Sequence, residues 1–449
     1  MDVFDLVIVG GGPAGTHAAM EAAKCGMHTA LVEPDALGGT CLNRGCIPTK
    51  TLLRTAALYR ETKNGAEIGL RAPDVSVDMA GLQRYKNSVV EKLSGGVSEN
   101  LRRAKVCLVK GSARLRSPEE VDVGAQTLRT KRVLLATGCL PADISVPGAG
   151  LEGVYDSTGM LALETIPESI VIIGGGVIGM EFASLYLDLG SRVTVIEALD
   201  RLLANMDREL GQSLKLSLKK RGADIRTSAA LKEIRRGGNG LVCVCTENGQ
   251  ETEVSAEAVL VAVGRKPNTD GLFSPGCKPE TAHGFIVVNS RYETSLPGVW
   301  AVGDVTGGIQ LAHMASAEAI NAVEFMCGND APICTEVVPF CVFTSPEIAS
   351  VGISPQEAKK CGRNVITKKY VMTANGKTVL SRGERGYISI TADAETGCIC
   401  GAQMFCARAT DMIGEFVSAI VNRLTLRELA AAIRPHPTFN EAVGDLLRG

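Results

Sequence analysis

The sequence predicts an α/β chain with two dinucleotide-binding βαβ domains followed by a C-terminal α+β domain. Three observations predict it. A glycine fingerprint sits between two apolar strands near the start of the chain. The same device returns in mid-chain with the same spacing. From about residue 336 the texture changes to short strands followed by helical patterns, with no glycine fingerprint.

Residues 5–9 form a short apolar run, as expected of a buried parallel strand. Gly10-Gly11-Gly12-Pro13-Ala14-Gly15 follows, then a helix over about 14–25 and a strand, Thr29–Val32, ending at Glu33. In this pattern Gly10 makes the tight turn and Gly12 lets the backbone approach a pyrophosphate on the helix N-terminus. Gly15 lets helix and strand pack closely, and Glu33 can accept hydrogen bonds from a ribose diol. Next comes Gly38-Gly39-Thr40-Cys41-Leu42-Asn43-Arg44-Gly45-Cys46-Ile47-Pro48-Thr49-Lys50. Two cysteines this close to a nucleotide loop suggest that electrons pass between sulfur and a bound dinucleotide.

A helix-rich segment, about 47–100, and a β-rich one, about 104–136, lead to the strand and turn Val133–Gly138. Strand Ser169–Ile173, loop Gly174-Gly175-Gly176-Val177-Ile178-Gly179 and strand Val193–Ile196, ending at Glu197, then repeat the first pattern. Gly10 to Glu33 and Gly174 to Glu197 are the same distance apart, 23 positions. Both halves are therefore Rossmann-like. Gly174, Gly176, Gly179 and Glu197 take the roles of their counterparts. A carboxylate where a 2′-phosphate would sit repels NADP(H), so the second site favours NAD. Ala258–Val263 then runs into Gly264-Arg265-Lys266-Pro267-Asn268, and Val299–Val302 into Gly303-Asp304. Asp304, at a strand's C-terminal end, is placed to hold a ribityl or ribose hydroxyl. In the last domain, strands are expected within 337–343, 364–372, 386–392 and 397–403, and helices over about 408–422 and 426–433.

At 449 residues, three domains are expected, and the net charge of −2 without a basic block argues against nucleic acid. No apolar run approaches the roughly 20 residues that span a bilayer. The strand that follows Met1-Asp2-Val3-Phe4-Asp5 leaves no room for a leader, so a cytoplasmic chain is expected. There are 15 cysteines, an odd number, with no CxxC pair and no histidine cluster, so no metal site is expected. Those outside the Cys41–Cys46 stretch read as core thiols, with Cys107, Cys243, Cys245 and Cys341 in buried strands.

The motifs and their order resemble the class I pyridine-nucleotide disulfide oxidoreductases. GGGPAG…E resembles their FAD loop, GGTCLNRGCIPTK the redox-active disulfide, and LLATG the return to the FAD domain. GGGVIGME…VIE resembles the NAD loop, GRKPN and AVGDVTG the second FAD segment, FTSPEIASVG the start of the dimerisation domain, and HPTFNE the catalytic His-Glu pair. The resemblance covers essentially the whole length. It implies an FAD domain over 1–142 and 271–335, an NAD domain over 143–270 and a dimerisation domain over 336–449.

It also implies roles. Cys41 would form a mixed disulfide with substrate, while Cys46 would lie against the flavin. Cys46 opens a helix, whose positive end favours a thiolate. Lys50 would pair with Glu181. His436, held between two prolines, would take the substrate thiol's proton, and Glu441 would set its tautomer. Thr40, Lys50, Thr137, Gly138, Asp304 and Ala312 would join the first loop around FAD, and Gly264 would join the second around NAD. In the family the base comes from the partner subunit, so a homodimer with a shared active site is implied. The closest member activity is the oxidation of a protein-bound dihydrolipoyl group by NAD+, with a lipoylated carrier of a 2-oxoacid dehydrogenase or glycine-cleavage system as partner. An NADH-dependent reductase of another small disulfide, such as glutathione or coenzyme-A disulfide, is the alternative. Arg434 departs from the family, where a second histidine is usual, and Ala319 stands where glycine is common. Arg434 is expected near the substrate mouth.

Overall fold

Leu6, Val7, Ile8 and Val9 are all apolar and all buried, and they form strand β1 (Leu6–Val9) in a computed structural model that describes residues 3–238 and 240–449. The start at Met1 and Asp2 lies outside the described residues. Gly10 turns the chain at φ 106°, and a Cβ there would meet the Ala136 carbonyl oxygen at 2.3 Å. Helix α1 (Pro13–Lys24) begins with proline, whose missing N–H costs nothing in a first turn. Strand β2 (Thr29–Glu33) pairs in parallel with β1, from Leu6 opposite Thr29 to Val9 opposite Val32. Helices α2 (Gly39–Arg44), α3 (Cys46–Lys63) and α4 (Met79–Arg103) precede strand β3 (Cys107–Lys110).

The described residues divide into two units. The first comprises residues up to Thr51, Ala80–Ala142 and Gly264–Thr335. Its parallel sheet has the order Val299–Ala301, Val133–Leu135, β1, β2, β3. Alternation along the strands gives it two apolar faces. Leu6, Ile8, Leu31 and Leu134 pack on Ala18, Ala19 and Ala22 of α1 and on Ala315, Ala319 and Ala322 of the helix Ala312–Met326. Val7, Val9, Val32 and Leu135 pack instead on Leu115, Val121, Val123 and Leu128 of an antiparallel meander. The fingerprint loop lies where the sheet order reverses, the usual crevice for a nucleotide in such sheets.

The second unit comprises Leu52–Met79, Asp143–Val263 and Glu336–Gly449. It repeats the plan. Ser169–Ile173 is flanked in parallel by Arg192–Glu197 and Ala258–Val261, with Asp224–Thr227 beyond the former. A meander carrying Leu241, Cys243, Cys245 and Val254 covers the face bearing Val171, Ile173 and Ile196. The C-terminal residues form an antiparallel sheet ordered Phe340–Val342, Glu347–Gly352, Ile399–Cys406, Tyr387–Asp393, Val365–Val371. Its inner face packs on Ile413 and Phe416 of the helix Ala409–Val421 and on Val443 and Leu446 of the helix Glu441–Arg448.

The expectation of core thiols needs correction: Cys25, Cys334 and Cys361 are exposed, and Cys327, Cys398 and Cys400 are half-buried. Cys107 is exposed and Cys341 only half-buried, because their strands are the outermost of their sheets. Cys243 and Cys245 sit in a central strand and are buried. The sequence reading also lacked the strand Glu347–Gly352, whose apolar residues are interrupted by Ser350, and the closing helix Glu441–Arg448. Among the described residues no helix is long and apolar enough to cross a membrane.

Candidate active site

Both glycine loops are braced the same way. Glu33 accepts the N–H of Gly11 at 2.6 Å and of Asp35 at 2.8 Å. Glu197 accepts the N–H of Gly175 at 2.5 Å and of Leu199 at 2.7 Å. A carboxylate has about four lone-pair sites, so each retains capacity for a ribose hydroxyl. The helices behind the loops, α1 and Val177–Leu189, have Gly12 and Gly176 as N-caps, and neither end carries a side-chain cap. Their first N–H groups thus suit a phosphate. A Cβ on Gly12 would have only Gly39 Cα nearby, at 3.8 Å, and one on Gly176 would meet nothing within 4 Å. The floor of each cradle is therefore bare backbone. Gly15 and Gly179 are packed, since a Cβ there would strike the carbonyl oxygens of Gly10 and Gly174 at 1.8 and 2.1 Å.

The first unit also holds polar atoms that await a partner. Thr137 Oγ1 and Arg265 Nε are buried without a hydrogen bond. Asp304 lies 3.5 Å from Arg265 Nε, and burial raises its pKa against the pull of that guanidinium. Gly138 takes φ 68° and its carbonyl accepts Asn268 N–H at 2.9 Å. Gly264, with φ 136°, accepts Ala142 N–H at 3.0 Å. Glu318 braces the turn before Asp304 by accepting Gly303 N–H at 2.7 Å, and burial raises its pKa too. Ala312 begins its helix, again without a side-chain cap. These residues fit FAD, which brings both a diphosphate and the hydroxyls that such atoms bind. Sequence reasoning missed Arg265 and Glu318. The signal available was a charged residue inside an otherwise apolar or glycine-rich run.

Thr40 and Cys41 lie in α2, a short helix that the sequence reading had not separated from the next. Gly38, its N-cap, sits at φ 100°, and Gly39 at φ 58° against Gly12. Gly45 ends α2, and Cys46 begins α3, as expected. Thr49 ties the first turn of α3 back through Oγ1 to the Gly45 carbonyl at 2.6 Å. All fifteen cysteines are thiols. The Cys41 thiol has its pKa raised, first because it is hydrogen-bonded to the Cys46 sulfur, then by burial and by charge on Cys46, with Lys50 opposing. The two sulfurs therefore share one environment, and Lys50, a turn along α3, acts on it.

In the second unit His436 Nδ1 lies 2.7 Å from Glu441 Oε2. The histidine side chain is 80% exposed and the glutamate 17%. Glu441 is fixed from two sides: Asn375 Nδ2 donates to its carboxylate at 3.4 Å, and its own N–H is given to Thr438 Oγ1 at 3.2 Å. With Nδ1 occupied, Nε2 is the nitrogen left for a reactant. Arg434 is turned inward. Its side chain is 5% exposed and bound to Glu415 and to the carbonyls of Leu429 and Ala432. Glu181 is buried in the helix Val177–Leu189 and accepts Phe343 N–H at 3.1 Å. At the far end of that helix Asp188, 2% exposed, is paired with Arg60 and Arg221. Among the described residues no group of histidines, cysteines and carboxylates is arranged to hold a metal ion.

Residues 4–319 match the family described as pyridine nucleotide-disulphide oxidoreductase, and residues 338–447 match that family's dimerisation domain. The dihydrolipoyl dehydrogenase of Bacillus subtilis is 38% identical, with 98% of this chain and 97% of that protein covered. That of Geobacillus stearothermophilus is also 38% identical, over 97% of this chain and 94% of the relative. Among solved structures, LpdA from Mycobacterium tuberculosis superposes with a TM-score of 0.91 at 25% identity, covering 99% of this chain and 98% of that one. The HOCl-induced flavoprotein disulfide reductase RclA from Escherichia coli gives 0.89 at 28% identity, covering 99% of each chain. With a dimerisation domain of this type the protein pairs with a second copy of itself. The chain belongs to the pyridine nucleotide-disulphide oxidoreductase family.

Proposed function

We propose that this protein is an FAD-dependent dihydrolipoyl dehydrogenase that oxidises the dihydrolipoyl group of a lipoylated carrier protein with NAD+. The observation that carries the reading is the Cys41–Cys46 pair, two sulfurs close enough for one to shift the other's titration, placed where α2 gives way to α3. The 38% identity to dihydrolipoyl dehydrogenases over nearly the full length supports it. FAD and NAD are the cofactors, held by the Gly10–Gly15 and Gly174–Gly179 loops respectively.

A dihydrolipoyl thiol attacks the Cys41–Cys46 disulfide at Cys41, and Cys46 leaves as thiolate. The second substrate thiol displaces Cys41, so substrate leaves as a cyclic disulfide and the enzyme holds a dithiol. His436 of the partner subunit takes the proton from the attacking thiol through Nε2, while Glu441 holds the imidazole. Cys46 would face the flavin, and Lys50, a turn along α3, would place positive charge beside it. Thr40, Thr137, Gly138, Asp304 and Ala312 seat the flavin, and Gly264 adjoins the nicotinamide nucleotide. When bound, FAD supplies the two-electron chemistry that links dithiol to nicotinamide. The balance is two thiols and NAD+ to one disulfide, NADH and a proton. The proposed domain limits are 1–142 with 271–335 for FAD, 143–270 for NAD and 336–449 for dimerisation. The proposed setting is the cytoplasm, serving a 2-oxoacid dehydrogenase or glycine-cleavage system.

The test is a steady-state comparison of NAD+ with dihydrolipoamide against NADPH with oxidised glutathione or coenzyme-A disulfide. Turnover in the first pair alone is the expected result. A preference for either small disulfide would replace the substrate assignment, and activity surviving Cys41→Ser would remove the dithiol mechanism.

A further inference from the structure

A second pair of thiols lies outside this machinery. Cys25 is the C-cap of α1, and Cys327 is the C-cap of the helix Ala312–Met326. The two helices pack side by side in the first unit. Their contact is built of small residues: Ala18 and Ala22 on α1, and Ala315, Ala319 and Val323 on its neighbour. Cys25 continues the first of these faces at helical spacing and Cys327 the second. Alanines let helix axes approach to the short end of the usual range, about 8 Å. A disulfide needs Cα atoms roughly 4.4–6.8 Å apart, a separation that closely packed helix faces permit. The side chains confirm the approach. The Cys25 thiol donates to Oε1 of Glu324 at 4.0 Å, one turn before Cys327, and Cys327 is close enough to act on its titration. Cys25 is exposed and Cys327 half-buried, so a small oxidant reaches the pair.

We infer that Cys25 and Cys327 form a second disulfide under peroxide load, clamping the far ends of the two helices whose near ends hold the FAD site. One thiol reduces hydrogen peroxide, becoming a sulfenic acid and releasing water. The other sulfur then displaces the sulfenic oxygen, releasing a second water and closing the S–S bond. Two thiols lose two electrons and two protons, and one peroxide becomes two waters.

The placement separates this pair from the catalytic one. Cys46 begins a helix, where the dipole favours a thiolate, whereas Cys25 and Cys327 end theirs, where it does not. Burial, then the hydrogen bond to Cys327, then the carboxylates of Glu324 and Glu21 push the Cys25 thiol up to about 12. The pair therefore rests as thiols and does not cycle with substrate, and its oxidation is slower than that of a low-pKa thiol.

The experiment uses FAD-loaded dimer, exposed to hydrogen peroxide, then alkylated and digested without reductant. Trypsin together with a protease cutting before aspartate separates Cys25 from Cys41 at Asp35, and Cys327 from Cys334 at Asp330. The expected product is a peptide pair joined through Cys25 and Cys327, cleaved by dithiothreitol and absent from Cys25→Ser and Cys327→Ser. Oxidised wild type should melt about 5 °C above the reduced protein, and neither variant should show that rise. Turnover of both variants should match reduced wild type. Full alkylation of both cysteines after peroxide treatment would overturn the inference. So would their conversion to unlinked sulfinic acids, or linkage of either to another cysteine.

Discussion

Replacing Glu441 by glutamine tests the proton-transfer half of the site. The substitution keeps the shape and removes the charge that faces His436 Nδ1 at 2.7 Å. A hydrogen bond to an ionised group contributes about 1.5–3 kcal/mol. His436 is 80% exposed, so solvent screens the pair and the lower end applies, about 1.5 kcal/mol. That is about tenfold in turnover, if the imidazolium forms in the rate-limiting transition state. His436→Gln removes the base altogether and should cost at least about a hundredfold. The assay is kcat with dihydrolipoamide and NAD+, beside NADH-to-dye electron transfer, which needs no proton from a thiol and should be unchanged in both variants. A Glu441→Gln loss equal to that of His436→Gln would make the carboxylate itself the base. Normal thiol turnover in both variants would remove the pair from the mechanism.

Glu197→Gln should raise KM for NAD+ by about tenfold, through one weakened charge-assisted contact, and leave KM for dihydrolipoamide unchanged; steady-state kinetics checks it. Asp188→Asn strips the charge between Arg60 and Arg221 and should cost about 3 kcal/mol, read as a lower thermal midpoint with the FAD spectrum retained. Asp5 has its carboxyl held below its usual value, first by Lys131 and then by the His28 N–H. A lowered carboxyl stabilises the fold above its unfolded pKa of 3.8, and that contribution is lost as pH falls through the lower folded value. Asp5→Asn should therefore melt slightly below wild type at pH 7, by no more than about 1 kcal/mol of stability, and the gap should close in strong acid. Melting curves across pH decide it.

The parts of the fold legible in the sequence were those that depend on short-range pattern. β1, α1 and β2 follow from an apolar run, a glycine triad and an acidic strand end, and so do their counterparts around Gly174. The His436–Glu441 contact was legible because the prolines and the spacing sit in one stretch. Elements fixed by distant partners were not. Cys107 and Cys341 look like core residues until the sheet order makes their strands edges. Nothing in the stretch around Arg434 signals its bond to Glu415, nineteen residues earlier, which draws it inward. Arg265 and Glu318 gain meaning only beside Asp304 and Gly303, which the chain brings up from elsewhere.

The carboxylate braces carry a lesson for redesign. Glu197 holds Gly175 and Leu199 in place with the same two oxygens that would greet the ribose. Cofactor preference and loop architecture are thus written in one side chain. Exchanging Glu197 for a basic residue, the obvious step toward accepting a 2′-phosphate, would also release two backbone donors and slacken the turn. A working switch therefore has to supply a substitute acceptor for Gly175 and Leu199 elsewhere in the loop. The same constraint binds Glu33, where the penalty would appear as loss of flavin.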